Sequence, residues 1–140
     1  MKLHGSALLV VLALTMVGES AAQTIRMKAD VPFEFIVNGS TLPPGQYTIQ
    51  SFGTADGKTL LLRNADKNEN ATVNSFNVES RKSASQTKLI FHRYGDRYFL
   101  SQVWVAGNER GHALPKSHRE AELARDYDHV QEVDVVAAMR

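Results

Sequence analysis

Residues 88–105 constrain the fold more than any other part of the chain: two apolar-aromatic runs, 88–94 and 97–105, are joined by Gly95-Asp96 alone. A two-residue connection containing glycine is the loop of a type I′ or II′ β-hairpin, whose backbone twist matches that of the strands it joins. Such a loop pairs Tyr94 with Arg97 and thereby sets the register of everything behind it. Leu89, Phe91 and Arg93 then share one face with Gln102, Leu100 and Tyr98, while Ile90, His92 and Tyr94 share the other with Ser101, Phe99 and Arg97. Both faces carry large apolar groups. A strand pair of this kind belongs in the middle of a sheet, or under a helix, rather than with one face in water.

The same strand-and-turn alternation runs through most of the chain. Val31, Phe33, Phe35 and Val37 alternate with Pro32, Glu34 and Asn38, giving a first strand whose start lies at an edge or bulge, because Pro32 has no N–H for a ladder. Asn38-Gly39 is a tight-turn pair, and Pro43-Pro44-Gly45 stiffens the approach to a second strand, 46–52, in which Tyr47 and Ile49 face one way. A third strand is led by Leu60 and Leu62, and a fourth runs over 71–79 with its apolar phase shifted between Val73 and Phe76, which predicts a β-bulge near Asn74. Residues 81–86 have no apolar anchor and read as a mobile surface loop. Ser117-His118-Arg119-Glu120 is a capping box opening a helix over 118–127, whose thin stripe of Ala121, Leu123, Ala124 and Tyr127 would rest on a sheet. Strand composition returns over 130–137. The expected fold is a compact antiparallel β-sandwich or partly open barrel of about six to eight strands with one C-terminal helix.

Residues 1–22 stand apart from this pattern. Lys2 and His4 precede an apolar run over 7–17, and Ser20-Ala21-Ala22 offers small residues for a signal peptidase, so a secretory signal cut after Ala22 is expected, followed by one β-rich domain over 23–140. The run is too short for the roughly 20 residues of a membrane-spanning helix, and no integral span is expected after cleavage. No cysteine is present, which removes disulfides, thiol catalysis, thiolate metal sites and a lipid-anchor cysteine. A net charge of +1 with both signs interspersed leaves no footprint for nucleic acid. Eight membrane-spanning strands would consume nearly the whole mature chain, which argues against an outer-membrane barrel.

Three motifs together carry a family resemblance. They are Val31-Pro32-Phe33-Glu34-Phe35, the turn Leu42-Pro43-Pro44-Gly45-Gln46-Tyr47, and the hairpin core Phe91-His92-Arg93-Tyr94-Gly95-Asp96-Arg97-Tyr98-Phe99-Leu100. From Ala29 to Ala124, including Leu114-Pro115-Lys116-Ser117 and the acidic helix behind it, the chain resembles a group of short exported β-rich proteins of environmental bacteria. Pro44 stands where that group usually has alanine. The resemblance implies export from a bacterium and assigns no activity, and in that setting the acceptor patterns Asn38-Gly39-Ser40 and Asn70-Ala71-Thr72 carry no glycan.

Few residues invite a functional reading. His92 and Arg93 fall on opposite strand faces and do not converge, although Arg93 opposite Tyr98 would form a cation–π pair. Trp104 and Tyr98 are the candidate ligand-binding residues, since aromatic faces suit an apolar or carbohydrate ligand. His118, Glu122 and Asp126 recur at i, i+4 and i+8 with His112 or His129 near the helix ends, a donor set for zinc or manganese, whereas a solvated charged face is the plainer reading. Neither a nucleophile elbow nor a phosphate-binding glycine loop is present. The expectation is a non-enzymatic exported cell-envelope protein, periplasmic or extracellular, working without cofactor through a surface interaction with an envelope or extracellular partner. The alternative is a small-ligand-binding β-domain.

Overall fold

The computed structural model describes residues 25–52 and 58–139. Within them the chain forms eleven short strands and one helix. The chain is mainly β: one sheet curls into a nearly closed barrel with one unsealed seam, and a single short helix lies near the C-terminus.

The N-terminal part is built from β1 (Arg26–Val31), β4 (Gly45–Ser51), β5 (Thr59–Asn64) and β6 (Asn70–Asn74), paired antiparallel in that order. Met27, Ala29 and Val31 point inward from β1, as do Tyr47 and Ile49 from β4, which is the two-residue period of a strand with one buried face. Pro32 ends β1, and the chain crosses over before forming β2 (Phe35–Val37), so the expected single first strand is two. The missing proline N–H explains why the ladder stops there. Asn38 and Gly39 both have positive φ, 48° and 78°, the signature of a type I′ turn, and β3 (Ser40–Leu42) returns along β2. Tyr47 donates its hydroxyl to the Pro43 carbonyl and so locks the Pro43-Pro44-Gly45 corner. Gly45, with φ of 156°, is required there, since a Cβ would lie 2.9 Å from the Asn64 side-chain nitrogen. Asn64 is itself buried, accepting from the N–H groups of Asp66 and Lys67 at 2.8 and 3.1 Å to shape the loop into β6.

The expected fourth strand is also divided. β6 stays with β5, whereas β7 (Phe76–Glu79) leaves to pair with β10 (Arg110–Ala113), so the phase shift marks a change of neighbour at Ser75 and not a bulge at Asn74. Ser75 is buried and donates its hydroxyl to the Lys58 carbonyl at 2.6 Å.

The hairpin of β8 (Lys88–Tyr94) and β9 (Arg97–Trp104) pairs Tyr94 with Arg97, Arg93 with Tyr98 and Phe91 with Leu100, as its turn requires. Beyond Leu100 the register slips: Ile90 faces Gln102 and Leu89 faces Val103, leaving Ser101 as the extra residue of a bulge. β8 is central, flanked by β9 and by β11 (Gln131–Met139), and β11 reaches on to β1. The strand order is β3-β2-β9-β8-β11-β1-β4-β5-β6, with β10 bridging β9 and β7. The pairing of β2 with β9 is parallel, through Ile36 and Phe99. Strands β3 and β6 end the order without pairing, and across this seam the Asn38 side chain donates to the Thr72 carbonyl at 3.0 Å.

The barrel interior is filled by side chains. Met27, Tyr47, Ile49, Leu60, Leu62, Leu89, Phe91 and Val103 are fully buried, and Phe35 sits edge-on to both Tyr47 and Phe91, with centroids 5.0 and 5.3 Å away. Outside the barrel, α1 (His118–Ala124) lies over one half of the hairpin's second face, where Leu123 and Ala124 pack on Tyr94, Phe99 and Ile36. Residues 80–84 adjoin the other half. Far from being untethered, Ala84 exchanges backbone hydrogen bonds with Asn108 and Gly107 at 2.9 and 2.8 Å.

Candidate functional site

A depression lies at the seam. Where β9 changes partner from β2 to β10, a cleft of about 290 Å³ opens between Ile36, Val73, Phe99 and Leu114 on its apolar side and Asn38, Ser117 and Glu120 on its polar side. The edges of β2, β6 and β9 and the approach to α1 all contribute, so the cleft exists only because the barrel fails to close.

Glu120 is the unusual member. It is 5% exposed, although an ionised carboxylate leaves water only at a cost of several kcal/mol unless it is paired. Ser117 begins the helix, its hydroxyl accepting from the Glu120 N–H at 3.1 Å, but the Glu120 carboxylate turns inward to the sheet. Its Oε1 lies 3.3 Å from Nδ1 of His92. On the far side of the ring, Nε2 is 3.1 Å from the hydroxyl of Ser101, the bulge residue. Glu132 stands 4.0 Å from the same nitrogen and is mostly exposed. Tyr94 completes the group. Its hydroxyl is buried beside Glu120, and burial first, then the neighbouring carboxylate, push its pKa up. Serine, imidazole and carboxylate thus come together from β9, β8 and α1.

This cluster escapes a reading of the sequence that assigns Glu120 to capping alone. Its signal was nevertheless present: Glu120, Leu123, Ala124 and Tyr127 recur at i, i+3, i+4 and i+7, so the glutamate occupies the helix stripe that faces the sheet. The bulge had a signal too. Inward residues Leu100 and Val103 are three apart, where an unbroken strand would make them two.

The residues singled out from the sequence are dispersed. Trp104 is 8% exposed, its indole N–H donates to Gln102 at 2.8 Å, and a Cβ on Gly111 would lie 2.6 Å from its ring. One edge of Trp104 borders a shallow groove of about 240 Å³ with Ser80, Lys82, Ser83, Lys88 and Gln102. Tyr98 is elsewhere, stacked on Phe33 at 3.8 Å under the Arg93 guanidinium, which lies 5.4 Å from its ring. Neither the cleft nor the groove brings the two aromatics together. His118, Glu122 and Asp126 are exposed, and α1 stops at Ala124, before Asp126. Among the described residues no three histidine or acidic side chains gather in a way that would hold a metal. His112 instead meets Ser75 Oγ at 3.0 Å, and burial lowers its pKa. Among the described residues no helix is long and apolar enough to cross a membrane.

Fold and site together define a mainly β, barrel-like protein with a filled interior, a cleft at its open seam and a helix strapped across the outside. Comparison of the chain with protein-family models, with curated proteins and with solved structures gave no match.

Proposed function

We propose that this is an exported cell-envelope protein that works by surface interaction and without turnover of a substrate. The observation that carries the reading is the filled barrel: with Phe35, Tyr47 and Phe91 meeting in the interior, recognition has to use the outer wall. Residues 1–22 support the address, with their apolar run and small residues before Gln23. Both parts are tested by expressing the full chain in a Gram-negative host and fractionating it. The expected product is a soluble envelope species beginning at Gln23, which native mass spectrometry recovers with a bound partner; an uncleaved cytoplasmic chain would overturn the address, and a partner-free species from every fraction would overturn the interaction.

The groove beside Trp104 favours a second reading, a small-ligand module for carbohydrate. An indole edge bordered by serine hydroxyls, an amide and two lysines suits the apolar face and oxygen substituents of a sugar, and an acidic one above others. Trp104 is the one tryptophan of the chain, so intrinsic fluorescence reports on this groove. Titration with uronic-acid oligosaccharides should shift or quench the emission, and an unchanged spectrum at millimolar sugar would remove this reading.

A further inference from the structure

We propose that the seam cleft binds a free α-amino acid with an aliphatic side chain, its ammonium group on Glu120 and its carboxylate on Lys116. The cleft shares no residue with the groove beside Trp104, so this site goes beyond both readings above and stands independently of them. It is marked by a buried anion short of donors. Glu120 is 5% exposed and lines the cleft, yet the imidazole nitrogen facing it, His92 Nδ1 at 3.3 Å, makes no hydrogen bond, and neither does the Tyr94 hydroxyl buried beside it. A buried carboxylate is stabilised when donors reach it, and the cleft is the side from which a ligand can bring them.

An ammonium group supplies what this carboxylate lacks, three N–H donors and a positive charge on one atom. Asn38 adds a neutral acceptor: its side-chain nitrogen is committed to the Thr72 carbonyl, which leaves its side-chain oxygen to accept. Lys116 also lines the cleft and is exposed. It would repel a simple amine but complements one that carries a carboxylate, so the two charges of the cleft together select a zwitterion. On the apolar side, Ile36, Val73, Phe99 and Leu114 form a wall for an aliphatic side chain. At about 290 Å³ the cleft lies at the small end of the range of ligand pockets, which fits one amino acid and not a longer peptide.

Separate elements fix the groups that would meet the ligand. The positive-φ turn at Asn38-Gly39 carries Asn38, and the first turn of α1 carries Glu120, whose N–H donates to the Ser117 hydroxyl at 3.1 Å. Neither His92 nor Ser101 lines the cleft, and neither has to touch the ligand. An amino acid is already a zwitterion at neutral pH, so binding transfers no proton and makes no covalent bond. The ammonium that is desolvated comes to rest against a carboxylate that is already buried, which is the arrangement in which a buried charge is compensated.

The test titrates L-leucine into the full chain and follows the methyl resonances of Ile36, Val73 and Leu114, which should shift and saturate at millimolar ligand. N-acetyl-leucine keeps the side chain and carboxylate but has no ammonium, and should bind about tenfold more weakly or worse. Leucinamide lacks the carboxylate and should lose about two- to fivefold. Glu120→Gln should weaken leucine about tenfold. Lys116→Met should weaken leucine to the level of leucinamide while leaving leucinamide itself unweakened. The comparison of the three ligands needs no variant. The absence of a saturable shift with leucine overturns the proposal, as do N-acetyl-leucine or leucinamide binding as tightly as leucine, shifts confined to residues outside the cleft, or a folded Glu120→Gln protein that binds leucine undiminished.

Discussion

Two histidines illustrate how differently one side chain behaves in two surroundings. His92 lies 3.3 Å from the buried Glu120 carboxylate, and removing one partner of such a pair strands the other, at about 3–5 kcal/mol. His92→Ala should therefore lower the unfolding free energy measured by urea titration by that amount, whereas His92→Phe combined with Glu120→Leu should recover most of it, because an apolar pair leaves no polar group buried without a partner. A double variant as unstable as His92→Ala would show that packing, and not charge, sets the effect. His112 sits in a different setting, where burial favours its neutral form. Since Ser75 donates its hydroxyl to Lys58, the short contact with His112 requires the ring Nδ1–H to donate to Ser75. A folded-state pKa below the ordinary 6.5 means that the unfolded chain binds the proton first as the solution is acidified. His112 therefore contributes full stability above about pH 6.5 and loses it on descent toward the folded value. His112→Gln should flatten the stability profile over that interval, as denaturant titrations between pH 5 and 8 would report.

Helix α1 spans His118–Ala124, about two turns, and is too short to persist without its cap and its docking face. Ser117→Ala removes the hydroxyl that accepts from Glu120 N–H and should cost about 1 kcal/mol. The loss should be local: hydrogen exchange should rise over 118–124 while β8 and β9 keep their protection. Equal loosening of the hairpin would show that the strap and sheet unfold as one. The strands had a comparable dependence on neighbours. The alternation in β4 was readable because a two-residue period reports directly which face is buried, but β1 and the division of 71–79 into β6 and β7 were not, the latter since Ser75 changes partner for reasons that lie in β5 and β10. The Ser101 bulge belongs to the same class: local pairing from the Gly95-Asp96 turn was right as far as Leu100, and the slip beyond it appears only when Leu89 meets Val103.

For the whole molecule, β11 is the strand on which closure depends. It joins β8 to β1, pairing Val133 with Phe91 and Met27 with Met139, so the two ends of the described chain meet in one sheet. Deleting residues 131–140 would leave two long edges with unpaired backbone groups. The truncated chain should lose its cooperative thermal transition and associate in size-exclusion chromatography; a monomer with an intact transition would show that β1 and β8 can close on each other. The type of element, the tight turns at Asn38-Gly39 and Gly95-Asp96, and most inward residues follow from the chain alone, because side-chain period and left-handed backbone are local properties. Where the barrel stays open, and that Ser101, His92 and Glu120 meet beside the opening, are decided by packing. Ser101 and His92 are brought together by a bulge and Glu120 arrives from a helix 28 residues further on from His92, so no sequence period connects them; they converge because β9 changes partner and α1 has to cover what that change exposes.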